Sequence, residues 1–329
     1  MRQNRDNRLI FCAAAALLLA AFGVSLCIGR YPLGLGDLIG AVMGKQGMAA
    51  QVFWRLRLPR SLAVCASGVA LGACGAVYQT LFGNPLAAPD IMGVSGGATL
   101  GAAVAIVMLG GSAVALAAFT GGMAALAFSL LLTRASGARG TGAIVLSGIL
   151  VSALSRTGIM LLKTLADTEG ELASIEFFTM GSFAGITSSD LPVILAGTGA
   201  GLLVLFVLRR QVALLTLSDE EAVSLGVHVG IMRVLVLTAA TLMVCTVSAR
   251  AGVIAFLPLI APHGARMLLR GHSRGMLPLS ALAGGVLLLL ADGAARLTPG
   301  AELPVSVLTT LMGVPVIGVL MVRGGVRHA

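Results

Sequence analysis

What most constrains this chain is a recurrence of long apolar runs from one end to the other. No charged residue occurs across 61–81, and about twenty apolar residues are what a helix needs to cross a hydrocarbon layer. Similar runs occupy 9–28, 91 to about 108, about 113–132, 141–162, 191–208, 231–249, 252–269, 276–297 and 305–322. A backbone in hydrocarbon must satisfy its own polar groups, so runs of this length read as helices. Ten spans put both termini on one side. Of the 22 Lys and Arg residues, thirteen then fall on that side and nine on the other, which marks the termini as cytoplasmic. The expectation is an all-α integral membrane protein forming one transmembrane domain over residues 1–329. Charged residues are 11% of the chain, against about a quarter in soluble domains. The net charge of +9 sits mostly in loops, where lipid headgroups and orientation account for it better than nucleic acid does.

Individual stretches refine this reading. Residues 1–8 carry Arg2, Arg5 and Arg8 ahead of an apolar run too long for a cleaved leader, so 9–28 reads as a retained first span. The basic group Arg55, Arg57 and Arg60 falls on the outer side, where it needs phosphate headgroups or an acidic partner. The break at 83–90 contains Asn84, Pro85, Leu86 and Pro89. Gly93, Gly97 and Gly101 follow at four-residue spacing, which places three glycines on one helix face and allows close helix packing. Residues 163–190 are acidic and read as an external connection. In 211–230, Ser218 and Glu221 form a capping box and Gly226 ends the short helix. That helix is either a purposely rigid connection between two spans or a plain surface helix. Pro258 and Pro262 should break or kink span eight, a basic loop beginning at Arg266 should follow, and Gly313 and Pro315 should interrupt span ten.

The chemistry-bearing motifs are mostly absent. There is no GxxxxGK[ST], so the chain holds no ATP in a P-loop of its own, and no HExxH or ligand-spaced His/Cys group. Gly93-Val94-Ser95-Gly96-Gly97 fits the letters of a nucleophile elbow, but it opens an apolar helix rather than a strand–turn–helix. The five cysteines lie inside apolar runs without metal-ligand spacing. Asp292 is the single candidate for an ion-coupling carboxylate within a span. Arg296, one helical turn on, offers a local ion pair instead.

Several segments together then resemble the FecCD-type permeases of ABC importers. They are RLPR at 57–60, GAVYQTLFGNPLAAPDIMGVSGGA at 75–98, MGSF at 180–183, SLGV at 224–227, Pro262-His263, LLLAD at 288–292 and ELP at 302–304. The resemblance implies a cobalamin-importer-permease-like fold in the bacterial inner membrane, working by alternating access with a ferric siderophore as the leading substrate. It implies a second permease subunit, two ATP-binding subunits that hold ATP and magnesium, and a periplasmic or lipid-anchored substrate-binding protein. This chain itself would bind no cofactor. Arg57, Arg60 and Arg296 match positions that dock the binding protein. The coupling helix, about 216–228 with Ser218, Asp219, Glu220, Glu221, Ala222, Leu225 and Gly226, matches the element that meets the ATPase. Asn84, Leu86, Thr141 and Gly142 match cytoplasmic gate regions, with glycine at 142 in place of a hydroxyl residue. Pro258 stands where the family has glycine. The reading from a different class is an ion-coupled secondary transporter with Asp292 as its coupling residue.

Overall fold

A computed structural model describes residues 2–137, 140–167, 170–269 and 275–325. Arg139, Glu169 and Arg327, and the Arg270, His272 and Arg274 expected in the basic loop after span eight, lie outside the described residues. Every described regular element is helical. Six helices are long and apolar enough to cross a membrane, and three shorter apolar ones, 94–108, 191–207 and 305–318, accompany them. The tenth expected span is the 13-residue helix Leu257–Leu269.

The chain begins with α1 (Arg2–Cys27), a peripheral helix whose one neighbour of note is the penultimate span. Two short helices, α2 (Leu35–Val42) and α3 (Met48–Val52), follow, and a π-helical turn at Phe53–Arg57 feeds α4 (Leu58–Phe82). Pro59 falls in the first turn of α4, directly after the π-helical turn. α4 is the hub. It is buried nearly all round and packs against four later helices, α9 (Leu191–Val207), α12 (Val229–Ala251), α13 (Leu257–Leu269) and α14 (Met276–Leu297). Small residues make that possible. A Cβ at Gly68 or Gly72 would strike the backbone of α14 at Gly284 or Ser280, and one at Gly75 would strike the carbonyl of Pro258. These close approaches are the small-residue packing that membrane helices use in place of a hydrophobic driving force.

α4 ends at Gly83, whose φ of 56° turns the chain out of the helix. A 3-10 turn at Pro89–Met92 then lies across α7 (Thr141–Leu165), where the Asp90 carbonyl accepts the Ser152 hydroxyl at 3.2 Å. Gly93 has φ 73° and is the hinge between this turn and α5 (Val94–Met108). The three-glycine face therefore needs correcting. Gly93 precedes the helix and faces Val151 and Ser152 of α7, whereas Gly97 and Gly101 face Gly121 and Ala117 of α6 (Val114–Ala135). The glycines serve two interfaces, because the chain has not yet entered the helix at the first of them.

The acidic connection carries α8 (Glu171–Met180), and α10 (Arg209–Leu214) and α11 (Asp219–Ser224) join α9 to α12. Span eight differs most from its expectation. Residues 252–256 are non-helical, with positive φ at Gly252 (71°) and Phe256 (62°), and α13 starts only at Leu257. Several of their polar groups are met by protein: Val253 N–H donates to the Phe178 carbonyl, Ala255 N–H to Ser306 Oγ, and the Ala255 carbonyl accepts Thr309 Oγ1. Non-helical backbone between spans is tolerated where it is buried in protein in this way. Pro258 consequently sits in the first turn of α13 and starts the helix rather than kinking it. Pro262 lies inside α13, and the helix continues through it. Arg266 belongs to this helix, not to a loop after it. α15 (Val305–Gly325) likewise runs without a break through Gly313 and Pro315.

Candidate functional site

Two charged constructions stand out, one at each end of the bundle. The outer one is built around Asp292. Leucines and small residues carry α14 through the core, and Asp292, one turn from its end, has no exposed surface at all. A carboxylate so placed must be paired. Its Oδ1 accepts from Arg60 Nε at 3.1 Å and Nη2 at 2.8 Å, and its Oδ2 lies 2.8 Å from Arg296 Nη2. Arg60 Nη2 also reaches Glu302 Oε2 at 2.8 Å. The local i,i+4 pair expected from sequence is therefore real, but it is half of a larger network.

Arg296 has a second task. Its Nη1 donates to the carbonyls of Ser25 and Ile28 at 3.0 and 3.1 Å, and Nη2 to Ser25 Oγ at 2.6 Å. It thus satisfies carbonyls at the C-terminal end of α1, where a cation also complements the helix dipole. Ser25 in turn meets Ser61 of α4 at 2.9 Å. Arg57 is buried and donates to the Tyr31 carbonyl at 3.1 Å. Its guanidinium lies over Gly29, where a Cβ would collide with it. A hollow of about 450 Å³ opens beside this network, lined by Gly29, Arg30, Arg296, Leu297, Thr298, Pro299 and Gly300. Arg30 donates to the Gly300 carbonyl across its rim. The outer basic group thus divides: Arg57 and Arg60 turn inward, and Arg55 stays exposed.

The cytoplasmic construction is α11. Ser218 Oγ accepts from Glu221 N–H at 3.3 Å, and Ser218 N–H donates to Glu221 Oε2 at 3.1 Å, which is the expected capping box. Asp219 takes both terminal nitrogens of Arg233 on α12, at 2.6 and 2.9 Å. The hydrogen bond from Arg233 holds the Asp219 carboxyl below the usual aspartate range, against a small opposing effect of burial. Ala222 and Val227 anchor the element in the main core, whereas Val223 and Leu225 are 60% and 59% exposed. Gly226, at φ 82°, ends it as expected. The helix proper is six residues long, shorter than the 216–228 segment read from sequence.

The remaining sequence candidates are less gathered. Asn84 Oδ1 accepts from Leu86 N–H at 2.9 Å, a local turn, and Leu86 is 50% exposed. Thr141 and Gly142 form the first turn of α7. No hydrogen bond or ion pair joins the two pairs among the described residues. Three residues in these networks were missed. Glu302 lies in the ELP segment without having been given a role, and Ser25 carries no signal in an apolar run. Gln79 accepts from Arg266 at 2.8 Å and donates to the Leu259 carbonyl at 3.2 Å, tying α4 to α13; a glutamine in an otherwise apolar span was the available clue.

Comparison with known proteins agrees along nearly the whole length. The profile of the FecCD transport family matches residues 17–323. The molybdate import system permease protein MolB of Haemophilus influenzae is 34% identical over 347 residues, covering 100% of both chains. The vitamin B12 import system permease protein BtuC of Salmonella paratyphi A is 34% identical over 322 residues, covering 96% of this chain and 95% of that one. A solved structure described as an inward-facing conformation of a metal-chelate type ABC transporter superposes with a TM-score of 0.85 at 32% identity, covering 96% and 99% of the two chains.

Proposed function

From the premise that this chain belongs to the FecCD transport family and is a multi-pass ABC-importer permease, we propose that it carries a bulky metal chelate, with ferric siderophore the leading candidate, across a bacterial inner membrane. The work is alternating access in one transmembrane domain with both termini cytoplasmic. The energy comes from ATP hydrolysed with magnesium in two separate subunits, and this chain holds no cofactor. A second copy completes the path, and a periplasmic or lipid-anchored binding protein delivers the chelate. The relatives are named for molybdate, vitamin B12 and a metal chelate.

One observation carries the choice of energy source. Asp292, the carboxylate that an ion-coupled carrier would use, is ion-paired with two arginines: Arg60 donates to Oδ1, and Arg296 Nη2 lies 2.8 Å from Oδ2 without hydrogen-bond geometry. A coupling carboxylate has to gain and lose its ion during the cycle. This one is a fixed counter-charge, so the secondary-transporter reading loses its residue.

At the outer face, the network of Arg57, Arg60 and Arg296 would offer its positive charge to acidic residues of the binding protein through Arg60, since Arg57 and Arg296 are held on internal carbonyls. The two carboxylates of the network, Asp292 and Glu302, face the three arginines and leave one positive charge in excess. Arg60 shares Nη2 between buried Asp292 and Glu302, whose side chain is 23% exposed. A docking carboxylate would take the place of Glu302 and leave Asp292 untouched. At the inner face, α11 would seat in the ATPase by its exposed Val223 and Leu225 and its acidic first turn. Asn84, Leu86, Thr141 and Gly142 would line the cytoplasmic gate. The test is ATPase activity in liposomes with an ATP-binding subunit and the loaded binding protein. Stimulation that falls when Arg57 is changed to Glu supports docking at this face, whereas stimulation unchanged by Arg57→Glu removes it.

A further inference from the structure

We propose that the hollow between α2 and the π-helical turn before α4 binds the phosphodiester headgroup of an anionic phospholipid in the outer leaflet. The hollow measures about 350 Å³ and is lined by Lys45, Gln46, Gln51, Trp54 and Arg55, with Gly44 and Gly47 at its turn. Lys45 and Arg55 are its only charged residues, and neither has an acidic partner among the described residues. Asp37, the acid on α2, is turned to the N–H of Gly34 at 3.0 Å. The basic group at 55–60 is thus resolved residue by residue. Arg57 and Arg60 have internal acceptors, and Arg55 is the cation left over.

The same segment exposes an apolar surface. Leu35, Ile39, Val42 and Met43 are 73%, 60%, 65% and 77% exposed, while Gly40 and Ala41 turn toward a small core of Leu33, Ala41 and Phe53. α2 is therefore amphipathic with its apolar side outward, the arrangement of a helix lying in a membrane interface. Trp54 is 50% exposed and anchored by its indole N–H to the Ala41 carbonyl at 3.2 Å. A tryptophan held this way is suited to the headgroup level, and the segment joins the end of α1 to the start of α4, where that level must lie. An acidic protein partner would satisfy the two cations but leave the adjoining apolar side chains in water. A phospholipid supplies both phosphate and acyl chains. The side-chain amides of Gln46 and Gln51 offer further donors to the phosphate oxygens.

Trp54 is the only tryptophan in the chain, so its emission reports the site directly. The full chain is placed in nanodiscs of phosphatidylcholine with increasing phosphatidylglycerol, and Trp54 emission is followed. A saturable change is expected, weakened by salt. For Lys45→Gln with Arg55→Gln, the phosphatidylglycerol midpoint should move by about thirtyfold, from about 1 kcal/mol per cation at about tenfold per 1.4 kcal/mol. Arg55→Lys should restore part of it, and unfolding temperatures of the variants show that each is folded. A change that tracks surface charge without saturating, or is the same in the double variant, overturns the site. A change produced by inorganic phosphate in phosphatidylcholine discs alone marks a free-anion site and overturns the lipid assignment.

Discussion

The outer and cytoplasmic ends of this bundle are both charged, but in opposite manners. At the outer end, Asp292 is wholly buried and Arg296 nearly so; Arg296 divides between the end of α1 and Asp292, and Arg60 between Asp292 and Glu302. At the cytoplasmic end, Ser218, Asp219 and Glu221 lie on the surface and bond mainly within their own turn and to Arg233. Burial removes the screening that water provides, so the outer network fixes helices against one another at high cost of disruption. The inner motif is held by weak, local bonds and leaves its apolar residues free. A fixed frame at one end and a presented element at the other suit a protein that receives a partner's motion at one face and opens at the other.

Breaking the outer network should give the largest effect. Asp292→Ala leaves Arg60 and Arg296 buried without their shared carboxylate, which costs about 3–5 kcal/mol and should appear as a large drop in unfolding temperature in detergent. Asp292→Asn should lose somewhat less, and the folded fraction should still hydrolyse and transport with the ATPase subunits. A well-folded Asp292→Asn permease with normal ATP hydrolysis and no transport would revive the ion-coupled reading. Next in size is the α4–α14 contact. Gly72→Ala drives a methyl into the Ser280 carbonyl, and overpacking of this kind costs about 1–3 kcal/mol, read in the same assay.

Smaller effects probe the inner end. Ser218→Ala removes the cap of α11 at about 1 kcal/mol locally. Global unfolding should hardly move, while stimulation of a partner ATPase by this chain should fall. Acid should do the same. The Asp219 carboxyl is held below its unfolded value of about 3.9 by Arg233, so its contribution is complete above that pH and disappears as the pH falls through the depressed folded value. Hydrogen exchange at 219–226 should rise only under such acid conditions, and Asp219→Asn should abolish that step. Smallest in stability is Glu302→Gln, which removes one exposed partner of Arg60 and keeps Asp292. It should change the unfolding temperature little and strengthen docking of the binding protein; weakened docking would show that Glu302 assists rather than competes.

Much of the architecture was legible because hydrocarbon imposes a simple rule. Long apolar runs become helices, and the bounds of α9 and α14 follow the sequence reading closely. The capping box was legible because its partners are three residues apart. What escaped was set by distant partners. Whether Pro258 kinks or starts a helix depends on where 252–256 finds its hydrogen bonds, and those lie on α8 and α15. Arg57, Arg60 and Arg296 announced an outer cluster, yet their inward turn depends on Ser25, Tyr31 and Glu302, between 26 and 271 residues away. Gly93 fitted a four-residue repeat but is used for its positive φ, which spacing does not reveal.

The most direct test of the account is uptake of a radiolabelled ferric siderophore into proteoliposomes that contain this chain, an ATP-binding subunit and the loaded binding protein. Ion gradients and internal ATP are varied separately. Uptake that requires internal ATP, survives collapse of every ion gradient and falls with Arg57→Glu is the predicted result. Uptake driven by an ion gradient with no ATPase subunit present, and lost in a folded Asp292→Asn variant, would contradict it.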